Sequence, residues 1–497
     1  MKTIPSSHSG YSDALTAFLQ RPKQLLINNK WVDAQSCARV AVENPADGKS
    51  IADVAAAGAA DVDIAVAAAK IAFRKWSAMQ PTYRANLLFR LADLLERHAA
   101  EFAEIESLDV GKPLTVTRML DVPFTVEVIR YNAGWATKLT GETFSLALQA
   151  SPYHAYTMRQ PLGVVAGIVP WNFPLLQVAM KLSAALAAGC VIILKPSELT
   201  PLSALRLGEL ALEAGFPPGV IQVLTGLGAD VGAALVRHAG VDKVSFTGST
   251  AVGRDIVRVC AEDFKRVTVE LGGKSPNIIF ADAEMEQAII GAANATFFNA
   301  GQVCYAGTRL YVEHSVYDTV VAGIAEVVAR MTIGNPFDPE TDLGPVVSAK
   351  QLDRIEGYVD GGRSAGAEII LGGSRIDQPG YYMQPTVIAN TDPRMQVVQE
   401  EIFGPVVCVV PFKSVSEITA LANDTRYGLA AGVWSRDLKK AHRMARALNA
   451  GTVWVNCYHT VDPNMPFGGW HESGWGREFG RVGVESFTEL KSVALKL

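Results

Sequence analysis

The stretch that decides the fold is residues 160–198, QPLGVVAGIVPWNFPLLQVAMKLSAALAAGCVIILKPSE. Two short apolar runs, Gly163–Val169 and Cys190–Leu194, flank a helix-length apolar segment, Leu175–Ala188. Strand, helix and strand in this order predict a right-handed βαβ unit. Because the strands are almost continuously apolar, we expect them in a parallel sheet that is covered on both faces.

The same alternation continues as far as residue 271. Further strands are predicted at Val220–Leu224, Lys243–Phe246 and Arg266–Glu270. The helices between them are predicted at Pro201–Ala214, Ala229–His238 and Thr250–Glu262. Upstream, helical spacing covers Val62–Ala103, with a break at Gln80-Pro81, and Leu114–Leu139. We therefore predict an α/β fold with a Rossmann-like domain.

After Gly272-Gly273 the pattern begins again and predicts a second α/β domain. Helices are expected at Glu284–Asn299 and Ser315–Met331, and strands at Thr308–Glu313, Val406–Pro411, Gly432–Trp434 and Thr452–Asn456. The last segment, Phe487–Leu497, has β character but no partner strand nearby in the sequence. Such an edge often pairs across a subunit interface, so we expect a homodimer or homotetramer.

Composition excludes several classes of protein. With 49% hydrophobic residues and a formal net charge of −5 over 497 residues, the chain is neither disordered nor broadly basic, so no nucleic-acid partner is expected. The uncharged run Gln160–Met180 contains three prolines and is a poor membrane helix. Met1–Tyr11 lacks the pattern of a signal peptide. Six cysteines without paired spacing favour the reducing cytoplasm, and no metal-binding spacing is present.

Three residues are candidates for catalysis. Cys304 lies in a glycine-containing loop just after a predicted helix, where a thiolate nucleophile could meet a substrate. Glu270 ends a predicted strand and could act as a general base; Asn172, between two prolines, could donate to an oxyanion. Each has an ordinary alternative: a structural cysteine, which the loop by itself favours, a solvated strand-end glutamate and a turn-forming asparagine.

Two further segments suggest a dinucleotide site. Lys195-Pro196-Ser197-Glu198 follows a strand, and its charged groups could hydrogen-bond ribose hydroxyls, with the carboxylate repelling a 2′-phosphate. Phe246–Gly253 runs from a strand into a helix N-terminus, where free N–H groups favour a pyrophosphate. Gly226–Gly232 is a rival for the same role, and a tight turn explains it equally well.

Taken together, these motifs resemble those of the aldehyde dehydrogenase superfamily, in the order that the family has them. The resemblance rests on Pro170-Trp171-Asn172-Phe173-Pro174, Lys195–Glu198, Phe246–Ser249, Glu270-Leu271-Gly272-Gly273-Lys274, Phe298–Cys304, Glu400–Pro405, Pro466–Gly469 and Ser473–Glu478. It covers nearly the whole chain. It implies an NAD(P)-dependent oxidation of an aldehyde to its carboxylic acid.

The resemblance also implies a role for each catalytic candidate. Cys304 would attack the aldehyde, and Asn172 would hold the oxyanion of the thiohemiacetal. Hydride would pass to the nicotinamide and leave a thioester, which water activated by Glu270 would hydrolyse. Lys181 would take part in handling protons. Relatives that acylate coenzyme A commonly lack the base that Glu270 would supply, so its presence favours release of the free acid.

The cofactor contacts follow in the same way. Lys195 and Glu198 would bind the adenosine ribose, Ser249 the pyrophosphate, and Glu401 the nicotinamide ribose, with Phe403 beside the ring. The remaining cofactor contacts implied are Trp171, Ser197, Gly228, Phe246, Gly248 and Leu271. Glu198 favours NAD, although Lys195 and Ser197 could accept the 2′-phosphate of NADP if Glu198 swung away. The implied domains are 1–139 with 159–271 for NAD, 272–470 for catalysis, and 140–158 with 471–497 as a small β element for oligomerisation.

The implied substrate tunnel is rich in aromatic residues. Its expected lining is Phe124, Phe173, Gln177, Met180, Phe298, Val303, Tyr305, Val461 and Phe467. Four phenylalanines favour an aromatic aldehyde, and the segment 456–467 is similar to that of bacterial phenylacetaldehyde dehydrogenases. Trp470-His471 departs from the family pattern, and we expect it at a subunit interface or the tunnel rim.

Other functions stay open at this point. An ω-aminoaldehyde would need acidic groups at the tunnel, for which Asp121 and Asp462 are candidates. Aliphatic aldehydes and acyl transfer to coenzyme A are further alternatives. A non-catalytic dinucleotide-binding protein on the same fold is a different class, against which the intact set of Cys304, Glu270 and Asn172 argues.

Overall fold

The computed structural model describes residues 2–3, 10–149 and 151–497. Two large sheets organise the chain, each with its own apolar core. The expectation that Met1–Tyr11 lacks a signal peptide falls largely outside the described residues. Within the described ranges, none of the helices has the length and apolar character needed to cross a membrane.

The first sheet has eight strands, and its five central strands are parallel. In spatial order the strands are Gly474–Trp475, Arg266–Glu270, Lys243–Thr247, Val164–Ile168, Val191–Lys195, Ile221–Val223, Leu25–Ile27 and Lys30–Val32. The chain leaves Val164–Ile168 towards one edge and later returns on its other side. This reversal opens a crevice at the carboxyl ends of the strands, where α/β sheets bind their ligands.

The second sheet has seven strands, all parallel except the pairing at one edge. The strands are, in order, Glu368–Leu371, Thr386–Ala389, Val406–Phe412, Arg309–Glu313, Pro276–Ile279, Ala430–Trp434 and Thr452–Val455. Two sheets with separate cores agree with an α/β fold of two α/β regions.

Three smaller sheets complete the strands. An antiparallel sheet joins Thr488–Lys496 to Tyr153–Pro161, which also pairs with Thr143–Phe144. Two further pairs are Arg39–Asn44 with Lys49–Ala55, and Lys2–Thr3 with Thr332–Ile333. The β character of the C-terminal segment is therefore satisfied by a strand more than three hundred residues earlier.

Helices cover both faces of the large sheets. The α-helices are Asp13–Gln20, Ala59–Trp76, Pro81–Arg97, Ala99–Val110, Leu114–Val116, Val122–Trp135, Pro174–Ala188, Leu202–Ala214, Ala233–Arg237, Thr250–Glu262, Met285–Phe297, Tyr317–Ala329, Ala349–Ser364, Gln396–Gln399, Val415–Asn423, Leu438–Ala447 and Gly480–Glu485. Thr117–Asp121 and Gly228–Gly232 are π-helical turns, and Phe298–Gly301, His314–Val316 and His471–Ser473 are 3₁₀ turns.

Local patterns predicted the central elements well and the edges poorly. The strand Arg266–Glu270 and the helix Thr250–Glu262 have the predicted bounds. The strands of residues 25–55 were not predicted, and the helix expected at Ala229–His238 begins with a π-helical turn. Gly474–Trp475 lies on the eight-stranded sheet, so residues 471–497 are shared between that sheet and the three-stranded one.

Candidate active site

Cys304 lies in a loop whose backbone is tightly constrained. The helix predicted to reach Asn299 ends at Phe297, because Asn299 and Ala300 adopt left-handed conformations with φ of 51°. Gly301 follows with φ of 70°, and a Cβ there would overlap the carbonyl oxygen of Gly404. Only glycine fits this approach, so the segment leading to the thiol has a backbone that few sequences can adopt.

Gln302 holds the loop from inside. It is buried, its Nε2 donates to the carbonyl of Asn299 at 3.1 Å, and its Oε1 accepts from the N–H of Val347 at 2.9 Å. The side-chain amide of Asn299 donates to the carbonyl of Asn172 at 3.2 Å. Hydrogen bonds within the loop and to two other segments, at Val347 and Asn172, therefore constrain the loop that precedes Cys304.

Asn172 follows the strand Val164–Ile168 and lies against the same loop. It is 4% exposed, and its Nδ2 donates to the carbonyl of Gln302 at 2.8 Å. A side-chain amide has two N–H groups, so one hydrogen remains for an acceptor near Cys304. The structure thus places Asn172, a candidate from the sequence, beside the loop of the candidate nucleophile. Cys304 itself follows Asn172 by 132 positions in the chain.

The surroundings of the Cys304 thiol favour its protonated form over the thiolate. Burial raises its pKa well above the ordinary value, and the carboxylates of Glu270 and Glu401 raise it further. Backbone N–H groups of Tyr305 and of Cys304 itself act in the opposite direction. Since the thiolate is the nucleophile, a base must receive the thiol proton before or during attack.

Glu270 is a buried carboxyl next to two other charged side chains. It is 6% exposed, its Oε1 has no hydrogen-bond partner, and burial followed by the charge of Glu478 raises its pKa well above the ordinary value. Lys181 donates to Thr247 at 2.8 Å and forms an ion pair with Glu478. Glu478 and Lys181 therefore act on the pKa of Glu270 in opposite directions, Glu478 raising it and Lys181 lowering it.

Two cavities meet at Cys304. The larger has a volume of about 870 Å³, and the smaller about 170 Å³. Of the described residues, three line both: Gln177, Glu270 and Cys304. Cys304 can therefore meet a ligand from either side.

The smaller cavity is lined by predicted cofactor residues. They are Trp171, Gly248, Ser249, Leu271, Glu401 and Phe403, together with Asn172. The rings of Trp171 and Phe403 meet edge to face at 5.1 Å. The carboxylate of Glu401 accepts from the N–H of Gly273 at 3.1 Å, and burial raises its pKa to about 7. A Cβ on Gly272 would overlap that carboxylate, so the glycine pair makes room for Glu401.

The other predicted cofactor residues lie outside the lining of this cavity. Lys195 and Glu198 form an ion pair at 2.8 Å, and although burial opposes it, Lys195 holds the pKa of Glu198 below its ordinary value. Gly228 lies next to Lys195: a Cβ added at Gly228 would be 3.9 Å from the Lys195 Nζ. Ser197, which lies between Lys195 and Glu198 in the sequence, is buried.

A helix N-terminus points towards the same region. Ser249 is the N-cap of Thr250–Glu262, and the first turn has no acidic residue. Phe246 lies directly under Gly248, where a Cβ would meet its ring. The positive end of a helix dipole without an acidic residue in its first turn is suited to an anion.

The larger cavity is predominantly aromatic and apolar. All the predicted tunnel residues line it except Val303, which is buried beneath it with Phe173 and Ala306. The prediction for Val303 as a lining residue is therefore not met by the geometry. Phe124 packs edge-on against Phe479 at 5.8 Å, and Phe298 lies 5.1 Å from His459.

Several lining residues were not predicted from the sequence. Phe479, Glu478 and His459 line the larger cavity, and Phe479 has a left-handed backbone with φ of 57°. Glu478 belongs to the motif Ser473–Glu478, which was identified without a role for this carboxylate. Trp470 and His471 line neither of the two cavities.

The acidic residues proposed for an amine substrate are not free acids facing the larger cavity. Asp121 lines it, but forms a buried ion pair with Lys112, whose ammonium lies 3.7 Å from the ring centre of Phe173. Asp462 is exposed and accepts a hydrogen bond from the N–H of Asn464 at 2.8 Å. Asp121 is thus already paired, and Asp462 is not among the residues that line the larger cavity.

The chain matches the model of the aldehyde dehydrogenase family over residues 31–493. It is 45% identical over 484 residues to a phenylacetaldehyde dehydrogenase of Pseudomonas fluorescens, covering 96% of each chain. An NAD⁺ complex of an aldehyde dehydrogenase from Bacillus cereus superposes with a TM-score of 0.97 at 44% identity, covering 99% of this chain and 100% of that one. A betaine aldehyde dehydrogenase of Staphylococcus aureus, in complex with NAD⁺, has a TM-score of 0.95 at 38% identity, and 97% of each chain is covered.

Proposed function

The chain belongs to the aldehyde dehydrogenase family, and from this premise we propose that it oxidises an aldehyde to the free carboxylic acid with NAD. The single observation that carries the proposal is the junction at Cys304, where a cavity lined by family cofactor motifs meets an aromatic cavity. The family model and the NAD⁺ complexes of similar proteins support both the reaction and the cofactor.

The residues present fit NAD. Ser249 and the helix N-terminus behind it would hold the pyrophosphate, and Lys195 with Glu198 the adenosine ribose. Glu401, with its carboxylate held against Gly273, would bind the nicotinamide ribose. When bound, NAD supplies the acceptor for the hydride that leaves the substrate carbon. The negative Glu198 supports NAD over NADP, because it would repel a 2′-phosphate.

The first half of the reaction belongs to Cys304. The thiol proton passes to solvent, the thiolate forms a bond to the aldehyde carbon, and the π electrons of the carbonyl move onto its oxygen, which becomes an oxyanion. The free N–H of the Asn172 amide and the backbone N–H of Cys304 are the proposed donors to that oxyanion. After oxidation, the acyl group stays on the sulfur as a thioester.

The second half belongs to Glu270. Its carboxylate removes a proton from water as the oxygen attacks the thioester, and the thiolate of Cys304 leaves. The acid product then departs through the larger cavity. We propose that the proton then passes from Glu270 towards Glu478 and Lys181, whose charges act on Glu270. A built-in base supports hydrolysis over acyl transfer to coenzyme A.

For the substrate, an aromatic aldehyde such as phenylacetaldehyde is favoured. The aromatic lining, which includes Phe124, Phe298 and Phe467, supports ring packing in the larger cavity. The buried ion pair of Asp121 with Lys112 supports this choice, because Asp121 is less able to neutralise the ammonium of an ω-aminoaldehyde when it is already paired. A straight-chain aliphatic aldehyde would fill the cavity less completely.

The assembly and compartment are proposed on separate grounds. Exposed apolar side chains on and near the three-stranded sheet, among them Phe144, Leu146 and Leu490, support a homodimer or homotetramer formed through this element. All six cysteines are free, which supports a reducing cytoplasm. Light scattering on the purified protein measures the subunit number.

The function is tested by the formation of NADH and acid from phenylacetaldehyde. We expect Cys304→Ala to lose essentially all turnover, whereas Cys457→Ala, which changes another partly exposed thiol, keeps it. Comparable turnover of Cys304→Ala would refute the nucleophile. The same assay with an ω-aminoaldehyde, a straight-chain aldehyde, NADP and coenzyme A ranks the alternatives, and a coenzyme A thioester as the main product would refute hydrolysis.

A further inference from the structure

Gln177 has an unusual position for a polar side chain. It lies in the second turn of the helix Pro174–Ala188 and is, with Cys304 and Glu270, one of the three described residues that line both cavities. It is only 8% exposed. Its Oε1 accepts no hydrogen bond, and its side chain forms none within the part of the chain that the structure describes.

On the side of the larger cavity, the neighbours of Gln177 in the sequence are apolar. Leu176 and Met180 on the same helix line that cavity, as does Phe173, the N-cap of the helix. A buried amide without partners is unfavourable unless a ligand or an ordered water completes its hydrogen bonds. An apolar side chain of similar length would fill the same space without this penalty. Gln177 is therefore a polar side chain among apolar residues that line the larger cavity, at the end of that cavity where Cys304 lies.

Resting on the proposed function, we propose that Gln177 is a specificity-determining residue that hydrogen-bonds a hydroxyl group on the carbon next to the aldehyde. The substrate class is then a 2-hydroxyaldehyde with an aromatic remainder. Gln177 and Cys304 line the same two cavities, so a substrate whose aldehyde carbon lies at the sulfur is within the part of the molecule that Gln177 borders. An amide both donates and accepts, and so does a hydroxyl group.

Two other tasks near Cys304 already have residues suited to them. Asn172, which lines the smaller cavity and not the larger, has a free N–H for the oxyanion. Glu270 is the base for water. The position left for Gln177 is contact with the substrate itself. The aromatic remainder would extend outward to Phe124 and Phe298, away from the amide.

The hydroxyl group makes the carbon next to the aldehyde a stereocentre when an aryl group is attached. An amide fixed on one wall can reach the hydroxyl of only one enantiomer when the ring and the carbonyl occupy their own sites. We therefore expect a preference for one enantiomer that depends on Gln177. A general loss of activity or packing does not produce such a dependence.

The test compares substrates that differ only by the hydroxyl group. The ratio of kcat/KM for 2-hydroxy-2-phenylacetaldehyde to that for phenylacetaldehyde is measured for the wild type, Gln177→Met and a remote control, Gln24→Met. Gln24 lies outside both cavities and hydrogen-bonds Asp33. We expect the ratio to fall about tenfold in Gln177→Met and to stay unchanged in Gln24→Met.

A binding measurement does not depend on turnover. Calorimetry of the NAD-loaded protein with the two enantiomers of 2-hydroxy-2-phenylacetate and with phenylacetate should show a preference for one enantiomer in the wild type. Gln177→Met should bind the two enantiomers equally. If Gln177→Met does not fold, Gln177→Glu, which keeps an acceptor for the hydroxyl, replaces it and should retain the preferred enantiomer.

An unchanged ratio and unchanged enantiomer preference in Gln177→Met would overturn the proposal and leave the amide to an ordered water. An equal fall in kcat for both aldehydes would also overturn it, because Gln177 would then act on the chemistry. A wild type that oxidises neither aldehyde refutes the proposed function, whereas the carboxylate binding still decides whether Gln177 reads the hydroxyl group.

Discussion

The two cavities on either side of Cys304 are built in different ways. The smaller is lined largely by residues at the ends of strands of the eight-stranded sheet, with a helix N-terminus, and by a few residues of the second α/β region, among them Glu401, whose carboxylate lies against a glycine. The larger is lined by side chains from helices and loops scattered from Pro113 to Phe479. The smaller cavity has the polar groups needed to bind one cofactor, whereas the larger cavity offers a ligand mainly apolar surface of a given shape.

This difference separates the chemistry from the choice of substrate. Backbone geometry determines the smaller cavity, so most changes there alter the reaction with every aldehyde. Individual side chains determine the larger cavity, so changes there alter which aldehyde is preferred. Glu270 and Gln177 line both cavities. Variants in the smaller cavity, in the larger cavity and at the junction should therefore change the kinetic constants in different ways.

The largest effect is expected from Glu270→Gln, at the junction. The isosteric amide cannot take a proton, so hydrolysis of the thioester should fall by about a thousandfold. Oxidation in the first turnover should persist, giving a burst of NADH equal to the enzyme concentration. Stopped-flow absorbance measures the burst, and Glu209→Gln, on a distant helix, should show none.

The pH dependence sharpens the same prediction. The pKa of Glu270 is raised in the folded protein, and the deprotonated carboxylate is the active form. The rate of thioester hydrolysis in the wild type should therefore rise with pH through a range above the ordinary value for glutamate. This rise of the hydrolysis rate with pH should be absent in Glu270→Gln. A hydrolysis rate that falls as pH rises would contradict the role as base.

A smaller effect, confined to the smaller cavity, is expected from Gly272→Ala. Its methyl group would displace the Glu401 carboxylate in the smaller cavity, and a shift of about 1 Å can reduce catalysis about a hundredfold. We expect weaker NAD binding and unchanged relative kcat/KM values among aldehydes. Fluorescence titration with NADH and an aldehyde panel measure the two. A changed ranking of aldehydes would break the separation of the two cavities.

The smallest effect is expected from Phe124→Ala, in the larger cavity. Loss of its ring contact should lower kcat/KM for phenylacetaldehyde about tenfold, while NAD affinity stays unchanged. Phe124→Leu keeps bulk without the ring and should lie between the wild type and alanine. An equal loss for small aliphatic aldehydes would show that the residue supports the fold and not ring binding.

Local sequence patterns predicted those parts of the fold that depend on neighbours in the chain. The bounds of Arg266–Glu270 agree because apolar alternation and strand length are local properties. Gly474–Trp475 was missed because its pairing with Val269 and Glu270 joins residues some two hundred positions apart. The short strands Leu25–Ile27 and Lys30–Val32 depend in the same way on an existing sheet.

The same limit applies to the site. Cys304, Glu270 and Asn172 were found because each stands in a motif of its own. The helix bound at Phe297 was misjudged because the turn at Asn299 depends on contacts with Asn172 and Gly404. Phe479 and His459 reach the larger cavity only through tertiary packing, and nothing in their local sequence indicates it.

The shared walls of the two cavities also have a thermodynamic consequence. Whatever displaces Gln177 or Glu270 on one side changes the shape and charge that the other side presents. Binding in the two cavities is then coupled, and coupling is reciprocal: a carboxylate product that weakens NAD binding must be weakened by NAD to the same degree. The three shared side chains, Gln177, Glu270 and Cys304, are therefore where such a coupling would be measured by substitution.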